Sequence, residues 1–241
     1  MNASPGLNAG ATLPTVMAMR WLPLVVGSLL AGSLLAQPPP GSSSGLAGRV
    51  EGRVYYSPSG TYHIPVPVLP ELGGSINDTP NVVTFQDQFN VHVSIGTFPM
   101  DATQRWELAT RGRKDYLVYF FDNFVLADFR RLFPDTRIES ARYVPGVMNG
   151  CLIAYTLLPG GSMFSDRHAV LGADTNPPVA KRGNLIFVRN GYIYIISTEL
   201  AERVIERSSY HQTTEEEDSI LRQRLSDILG KLQFAQPVSD T

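Results

Sequence analysis

The sequence predicts an α+β fold, in which antiparallel hairpins are combined with helices. Two observations favour this class most strongly. Asn190-Gly191 stands between two apolar runs, which is the strongest short-range signal for a tight hairpin turn. Apolar residues recur at three- and four-residue steps through residues 101–133 and again through 214–232, which is the periodicity of amphipathic helices. A chain with both signals is expected to form mainly antiparallel strands packed against helices.

The first predicted strands flank a Ser-Pro-Ser-Gly turn at 57–60, where proline and glycine stand as a type I turn requires. After the turn, apolar residues alternate from Tyr62 to Val66, which is the period of a strand with one buried face. Because Pro65 and Pro67 cannot donate ladder hydrogen bonds, this strand is expected at a sheet edge or to end early.

A hairpin and a long helical region follow. Residues 82–85 and 91–95 flank a polar segment and are expected to form the hairpin, with His92 on its solvated face. The helical pattern of 101–133 begins with an aspartate suited to capping and contains a break near Gly112.

Further strands and a closing helix complete the predicted order. The strands are expected at 138–143, 151–158, 185–188 and 192–196. Thr214 and Glu217 are spaced as a capping box at the start of the last helix. Residues 159–183 form a predicted loop of about 25 residues, which is longer than usual in a compact domain.

The composition excludes several classes of site. The chain has 241 residues, with 20 Lys and Arg against 22 Asp and Glu, so the formal net charge is −2. Without a basic excess, nucleic-acid binding is not predicted. The chain has a single cysteine, which excludes an intramolecular disulfide and a cysteine-rich zinc site.

The first 36 residues have the features of a secretory signal peptide. Arg20 precedes an uncharged apolar run, 21–36, which ends in alanine shortly before three prolines. The run is shorter than the roughly 20 residues that cross a bilayer, so an uncleaved anchor and a buried core helix are the less favoured alternatives. The predicted organisation is a signal peptide at 1–36, a Pro/Gly/Ser linker at 37–48, a single globular domain at 49–235 and a polar tail at 236–241. We therefore expect a secreted or periplasmic protein with no stable membrane span after signal cleavage.

The order of these elements resembles the PsbP-like family over about residues 50–235. The residues that carry the resemblance are Tyr55, Ser57, Pro58, Gly60, Tyr62, Ile64 and Pro67, then Asn190, Gly191, Tyr192 and Ile193, and finally the helix through Leu229 with Phe234. The resemblance implies an α/β/α sandwich around a mainly antiparallel sheet. It also implies a non-enzymatic, exported accessory role, without naming a partner.

Motifs that would indicate catalysis or metal binding are weak. Ser43 lies in a G-x-S-x-G pattern, but that pattern falls in the linker rather than between a strand and a helix. The four histidines show no metal-ligand spacing, and Cys151 stands in an apolar run typical of a buried, inert thiol. No catalytic residue, cofactor or metal site is therefore predicted. A hydrolase built from distant residues such as Asp166, His168 and Asp174 is a minor alternative.

The best candidate for function lies within the long loop. The candidate residues are Met163, Phe164, Asp166, Arg167 and His168. Loops on a rigid scaffold commonly carry binding, and an ordinary hairpin extension is the alternative. We therefore expect a non-catalytic accessory protein that binds a protein partner of the cell envelope through this loop. The alternative is a carrier of a small apolar ligand, in which the aromatic run 116–133 lines a pocket instead of packing in the core.

Overall fold

A computed structural model describes residues 45–89, 91–164 and 179–236. The strands are β1 (Arg49–Glu51), β2 (Val54–Tyr56), β3 (Tyr62–Pro65), β4 (Ser75–Asp78), β5 (Val82–Gln86), β6 (His92–Pro99), β7 (Arg137–Val144), β8 (Cys151–Pro159), β9 (Val179–Arg189), β10 (Tyr192–Glu199) and β11 (Gln233–Phe234). The α-helices are α1 (Ala102–Arg111), α2 (Arg113–Phe120), α3 (Leu126–Leu132), α4 (Ala201–Glu206) and α5 (Thr214–Lys231). The predicted signal peptide, Ser43, Asp166, Arg167, His168, Asp174 and nearly all of the predicted tail lie outside the described residues.

The strands form two antiparallel sheets. The main sheet has seven strands in the order β4-β5-β6-β10-β9-β8-β7, and the smaller one has four in the order β1-β2-β3-β11. The separate small sheet was not predicted. Its last strand, β11, has only two residues, Gln233 and Phe234, and a strand this short leaves no pattern in the sequence. The predicted early end of β3 is confirmed, since this strand stops at Pro65.

Helices cover both faces of the main sheet. On one face, called the α2–α3 face, a buried cluster joins Tyr116, Leu117 and Phe120 to β-strand residues such as Ile186. On the other, the α5 face, Leu225 and other residues of α5 pack with the small sheet against the main sheet. The predicted α+β class is therefore confirmed, with the main sheet between two helical layers.

Local signals located most turns and helix boundaries correctly. Asn190 and Gly191 both have positive φ, 49° and 74°, which is the geometry that a two-residue hairpin of type I′ requires. The predicted helix break is confirmed at Gly112, where φ is 76° and ψ is 161°. A π-helical turn at Phe121–Val125, which the sequence pattern did not indicate, connects α2 to α3.

The capping box of α5 lies one residue earlier than the sequence spacing suggested. Thr213, not Thr214, accepts a hydrogen bond from the backbone N–H of Glu216, and the Glu216 side chain accepts one from the backbone N–H of Thr213. The predicted partner Glu217 is buried and bonds instead to Arg203 and Lys181. The prediction was wrong by one position because two adjacent Thr–Glu pairs have the same spacing.

Strand β9 begins at Val179, six residues before the predicted start at 185. The loop is correspondingly shorter than predicted, because β8 continues to Pro159 and β9 starts before Gly183. A backbone bridge between Gly161 and Val179 joins the two ends of the loop. Charged residues at the start of β9 concealed this part of the strand.

The chain enters the domain through contacts with Asp78 on the edge strand β4. The backbone N–H of Ala47 donates to one carboxylate oxygen of Asp78 and that of Gly48 donates to the other, both at 2.7 Å. The hydroxyl of Tyr55 donates to the same oxygen as Gly48, also at 2.7 Å. These bonds attach the last residues of the predicted linker to the edge of the main sheet.

In the three described ranges, no helix combines the length and the apolar character that a bilayer span requires.

Candidate functional site at the root of the predicted binding loop

Two of the five predicted loop residues, Met163 and Phe164, are described, and both are half-buried. They lie against the ends of strands β6, β9 and β10 on the α2–α3 face of the main sheet. Since Ser162, Met163 and Phe164 connect the end of β8 to the rest of the loop, we call them the loop root.

A buried ion pair lies beneath the loop root. Arg182 in β9 and Glu199 at the end of β10 are direct neighbours across the two antiparallel strands. The guanidinium of Arg182 donates to Glu199 at 3.0 Å, and the two side chains are only 5% and 1% exposed. Burial lowers the pKa of Arg182, and the Glu199 carboxylate opposes that effect. Each charge is compensated by the other, which is the condition under which buried charges are tolerated.

Glu199 also holds the loop root in place. The hydroxyl of Ser162 donates to one carboxylate oxygen at 2.5 Å, and the backbone N–H of Met163 donates to the other at 3.2 Å. The backbone N–H of Phe164 then donates to the hydroxyl of Ser162 at 3.0 Å. A single buried carboxylate therefore orders three consecutive residues.

The ring of Phe164 contacts two polar side chains of the sheet. It stacks on the imidazole of His92, with ring centroids 5.1 Å apart and an interplanar angle of 12°. The guanidinium carbon of Arg182 lies 5.2 Å from the same ring centroid and 5.3 Å from that of Phe129. His92 is thus half-buried under Phe164, and the expectation of a solvated histidine was wrong. The reason is that a residue distant in sequence covers this end of β6.

Around the ion pair, this face of the sheet is polar over four adjacent strands. We call the following residues the polar floor: Ser94, Thr156, Arg182, Asn184, Ser197 and Glu199.

The members of the polar floor are connected by hydrogen bonds. Ser197 donates to the amide oxygen of Asn184 at 2.9 Å, and the amide nitrogen of Asn184 donates to Thr156 at 3.3 Å. Arg182 donates through its second terminal nitrogen to Ser94 at 2.6 Å. Such a network orders the site because every unmade bond in a buried environment is costly.

Two hydrogen-bonding atoms beside Phe164 have no partner within the described part of the chain. These atoms are Nε of Arg182 and Nδ1 of His92, both of which are buried. The apolar ring of Phe164 cannot satisfy them through its edge. The site therefore has unused hydrogen-bonding capacity next to an aromatic ring.

A second ionic cluster lies on the α5 face, centred on the adjacent residue Lys181. The ammonium group is fully buried and contacts three carboxylates: Asp218 at 2.6 Å, Glu217 at 3.1 Å and Glu139. Burial lowers the pKa of Lys181, but the three carboxylates outweigh that effect and raise it overall. Arg203 pairs with Glu217 at 2.5 Å, which brings α4 into the same cluster. This cluster links β7, β9, α4 and α5, and its charged groups are already occupied.

The remaining predicted residues have structural surroundings. Cys151 is fully buried, and burial raises the pKa of its thiol to about 11, which disfavours the reactive thiolate. His63 forms a hydrogen bond with Gln233 at 2.9 Å and stacks on Tyr56. It belongs to the small sheet, whereas His92 belongs to the main sheet. Among the described residues, no group of three or more His, Cys, Asp or Glu side chains is arranged to hold a metal ion.

Sequence reasoning located the loop but missed Arg182, Glu199 and the rest of the polar floor. One signal was present: Ala180, Arg182 and Asn184 continue, toward the start of β9, the every-second-residue positions of Ile186 and Val188 on one face of the strand. Polar side chains at those positions resemble a loop unless their partners on β6, β8 and β10 are known.

Comparison with known proteins assigns no family to this chain. Similar solved structures include cyanobacterial PsbP (CyanoP) from Synechocystis sp. PCC 6803, at 12% identity and a TM-score of 0.47, covering 82% of this chain and 100% of that chain. A protein of Bacteroides thetaiotaomicron VPI-5482 is similar at 10% identity and a TM-score of 0.35, covering 78% of this chain and 50% of that chain. No protein-family model matches the sequence, and no curated protein matches it. At these identities and TM-scores, neither similarity assigns a family, an activity or a partner to this chain.

Proposed function

We propose that this chain is an exported, non-catalytic accessory protein that binds a protein partner of the cell envelope at the loop root and the loop it carries. The apolar run at 21–36 and the Pro/Gly/Ser linker support export. One observation of the structure carries the binding part: the buried Glu199 carboxylate holds Ser162, Met163 and, through Ser162, Phe164 on a rigid sheet. Preorganised loop ends reduce the entropy that is lost on binding.

The arrangement favours binding over acid–base chemistry. Glu199 is paired with Arg182 and bonded to Ser162, so its oxygens are already used. No described histidine contacts Ser162 to act as its base, and Phe164 covers His92. The carrier alternative has less support, because Tyr116, Phe120 and neighbouring aromatic residues pack in the core.

The proposal is tested by capturing partners from envelope extract with residues 37–241 as bait. The variant combines Asp166→Ala, Arg167→Ala and His168→Ala, which leaves in place the contacts of Glu199 with Arg182, Ser162 and Met163. A deletion that includes Ser162 is avoided, because it would remove a hydrogen bond from a buried carboxylate and destabilise the sheet.

The matched control substitutes Gln223 and Asp227, an exposed hydrogen-bonded pair on α5, by alanine. We expect one protein to be captured by the wild type and the control and to be lost with the loop variant. Equal capture by all three baits would show that the loop is not the binding site, and a folded wild-type bait that captures nothing would count against the accessory role.

A further inference from the structure

We propose that the position of the Phe164 ring is an exchangeable site that accepts the tyrosine side chain of a protein partner. This inference deepens the proposed function and rests on it. It names the chemistry of the group that the loop root binds.

The first step is the mismatch between Phe164 and its surroundings. Core aromatic residues of this protein, such as Phe120, pack among apolar side chains. The Phe164 ring instead lies against the imidazole of His92 and the guanidinium of Arg182. A ring at this position is favoured by stacking and by the cation–π attraction of Arg182.

The second step is the unused hydrogen-bonding capacity. Nε of Arg182 and Nδ1 of His92 are buried and lack partners among the described residues. A phenol in place of the phenyl ring keeps both ring contacts and adds an oxygen, for which the unpartnered N–H of Arg182 is the inferred donor. A hydrogen bond from a charged donor contributes more than a neutral one.

The third step is the charge of the site. Arg182 and Glu199 neutralise each other, so a carboxylate placed here would add an uncompensated negative charge to a buried environment. A neutral aromatic group with one hydrogen-bonding oxygen has the required properties. Among protein side chains, that description fits tyrosine.

The fourth step is that the Phe164 ring can leave without disturbing its supports. The bonds that order the loop root involve the Ser162 hydroxyl and the backbone N–H groups of Met163 and Phe164. None of them involves the Phe164 side chain. Movement of that side chain out of the site would therefore break none of the hydrogen bonds that attach the loop root to Glu199.

The test measures binding of p-cresol, the tyrosine side-chain analogue, and of toluene, the phenylalanine analogue, to the Phe164→Ala protein by NMR titration. We expect p-cresol to bind about tenfold tighter than toluene, as one hydrogen bond to a charged donor predicts. Wild-type protein should bind p-cresol more weakly than the variant, since Phe164 must first be displaced.

The control is Phe129→Ala, which removes the other ring that contacts Arg182 but opens the apolar cluster of α2 and α3. There we expect toluene to bind at least as tightly as p-cresol, because cavities lined by apolar side chains bind apolar ligands. A preference of Phe164→Ala for toluene, or no binding of either probe, would overturn the inference.

If Phe164→Ala does not fold, the stability of Phe164→Tyr tests the proposed tyrosine site instead. The added hydroxyl should raise the midpoint of urea unfolding above that of the wild type, and a lower midpoint would contradict the proposed site. These measurements use the isolated protein, so a failure of the tyrosine site is distinguished from a failure of partner capture.

Discussion

The Glu199 side chain links the polar floor of the sheet to the loop root. Its carboxylate accepts hydrogen bonds from Arg182, Ser162 and the backbone of Met163, while it is almost inaccessible to solvent. Its negative charge compensates the buried guanidinium. The loss of that charge should therefore affect both the stability of the sheet and the order of the loop root.

We expect Glu199→Gln to lower the free energy of unfolding by about 3 kcal/mol, because the change leaves the buried charge of Arg182 without its partner. Urea denaturation measures the effect. The control is Glu51→Gln, which removes one partner of the Arg49–Glu51 pair, whose side chains are both more than half exposed. The control should change the same quantity by less than about 0.5 kcal/mol. Similar losses in the two variants would contradict the assigned role of Glu199.

At the scale of single elements, α5 begins with a cap that the structure assigns to Thr213. Its side chain satisfies the backbone N–H of Glu216, one of the donors that a helix leaves unpaired at its start. Thr214 occupies the first helical position and makes no such bond.

Thr213→Ala should lower the free energy of unfolding by about 1 kcal/mol, which is the usual cost of losing an N-cap side chain. Thr214→Ala is the matched control, and its effect should stay within about 0.5 kcal/mol. The urea unfolding midpoints of the two variants show which threonine caps α5. A larger loss for Thr214→Ala would restore the capping box that the sequence spacing first suggested.

The packing of α5 on the main sheet depends on a close approach at Gly183 in β9. A Cβ atom added there would lie 3.1 Å from Leu225 Cδ1 and 3.2 Å from Leu221 Cβ, so a larger side chain pushes the helix away. Gly183→Val should lower the free energy of unfolding by about 1–3 kcal/mol through overpacking.

The control for Gly183 is Gly230→Ala, on an exposed position of α5 with nothing within 4 Å of the added atom. It should raise the free energy of unfolding by up to about 1 kcal/mol, because alanine is the better helix former. Thermal or urea unfolding measures both. Equal effects of the two substitutions would mean that the helix does not pack on Gly183.

The elements differ in how far the sequence predicts them. The hairpin at Asn190-Gly191 and the helix break at Gly112 depend on local backbone preferences, so local patterns suffice. The start of β9 could not be predicted in this way. Lys181 and Arg182 are buried there only because Glu199 and carboxylates from β7 and α5 reach them from distant parts of the chain.

The same distinction between local signals and contacts of distant residues applies to the candidate site. Met163 and Phe164 were predicted from loop length and composition, whereas His92, Ser94 and Glu199 join them only through strand pairing. Pairing of distant strands is a property of the folded chain, and a single sequence without homologues does not display it.

At the scale of the whole molecule, folding raises the pKa of several tyrosines and of Lys181. Burial is the main cause of a raised pKa for Tyr55, Tyr62, Tyr116, Tyr155, Tyr194 and Tyr210. The pKa of Tyr210 is raised to about 12. The carboxylates around Lys181 raise its pKa as well.

These groups predict a loss of stability in alkali. Folded pKa values above the unfolded ones favour the folded state fully below about pH 10, and the stabilisation is lost as the pH rises through the folded values. The urea midpoint should therefore stay level up to about pH 9 and fall steadily above about pH 10. Phenolate absorbance should show these tyrosines ionising together with unfolding. Free titration of all ten tyrosines in the folded protein near their ordinary pKa would contradict the prediction.

The backbone bridge between Gly161 and Val179 has a consequence for protein engineering. Because the two ends of the loop already meet at the sheet, its length adds only a slowly growing closure entropy, about 0.6 kcal/mol for each doubling. Arg203 bonds to the carbonyl of Val179 on one side and Glu199 holds the root on the other. The domain can therefore serve as a display scaffold, in which foreign peptides replace residues 165–176 while the sheet beneath keeps its fold.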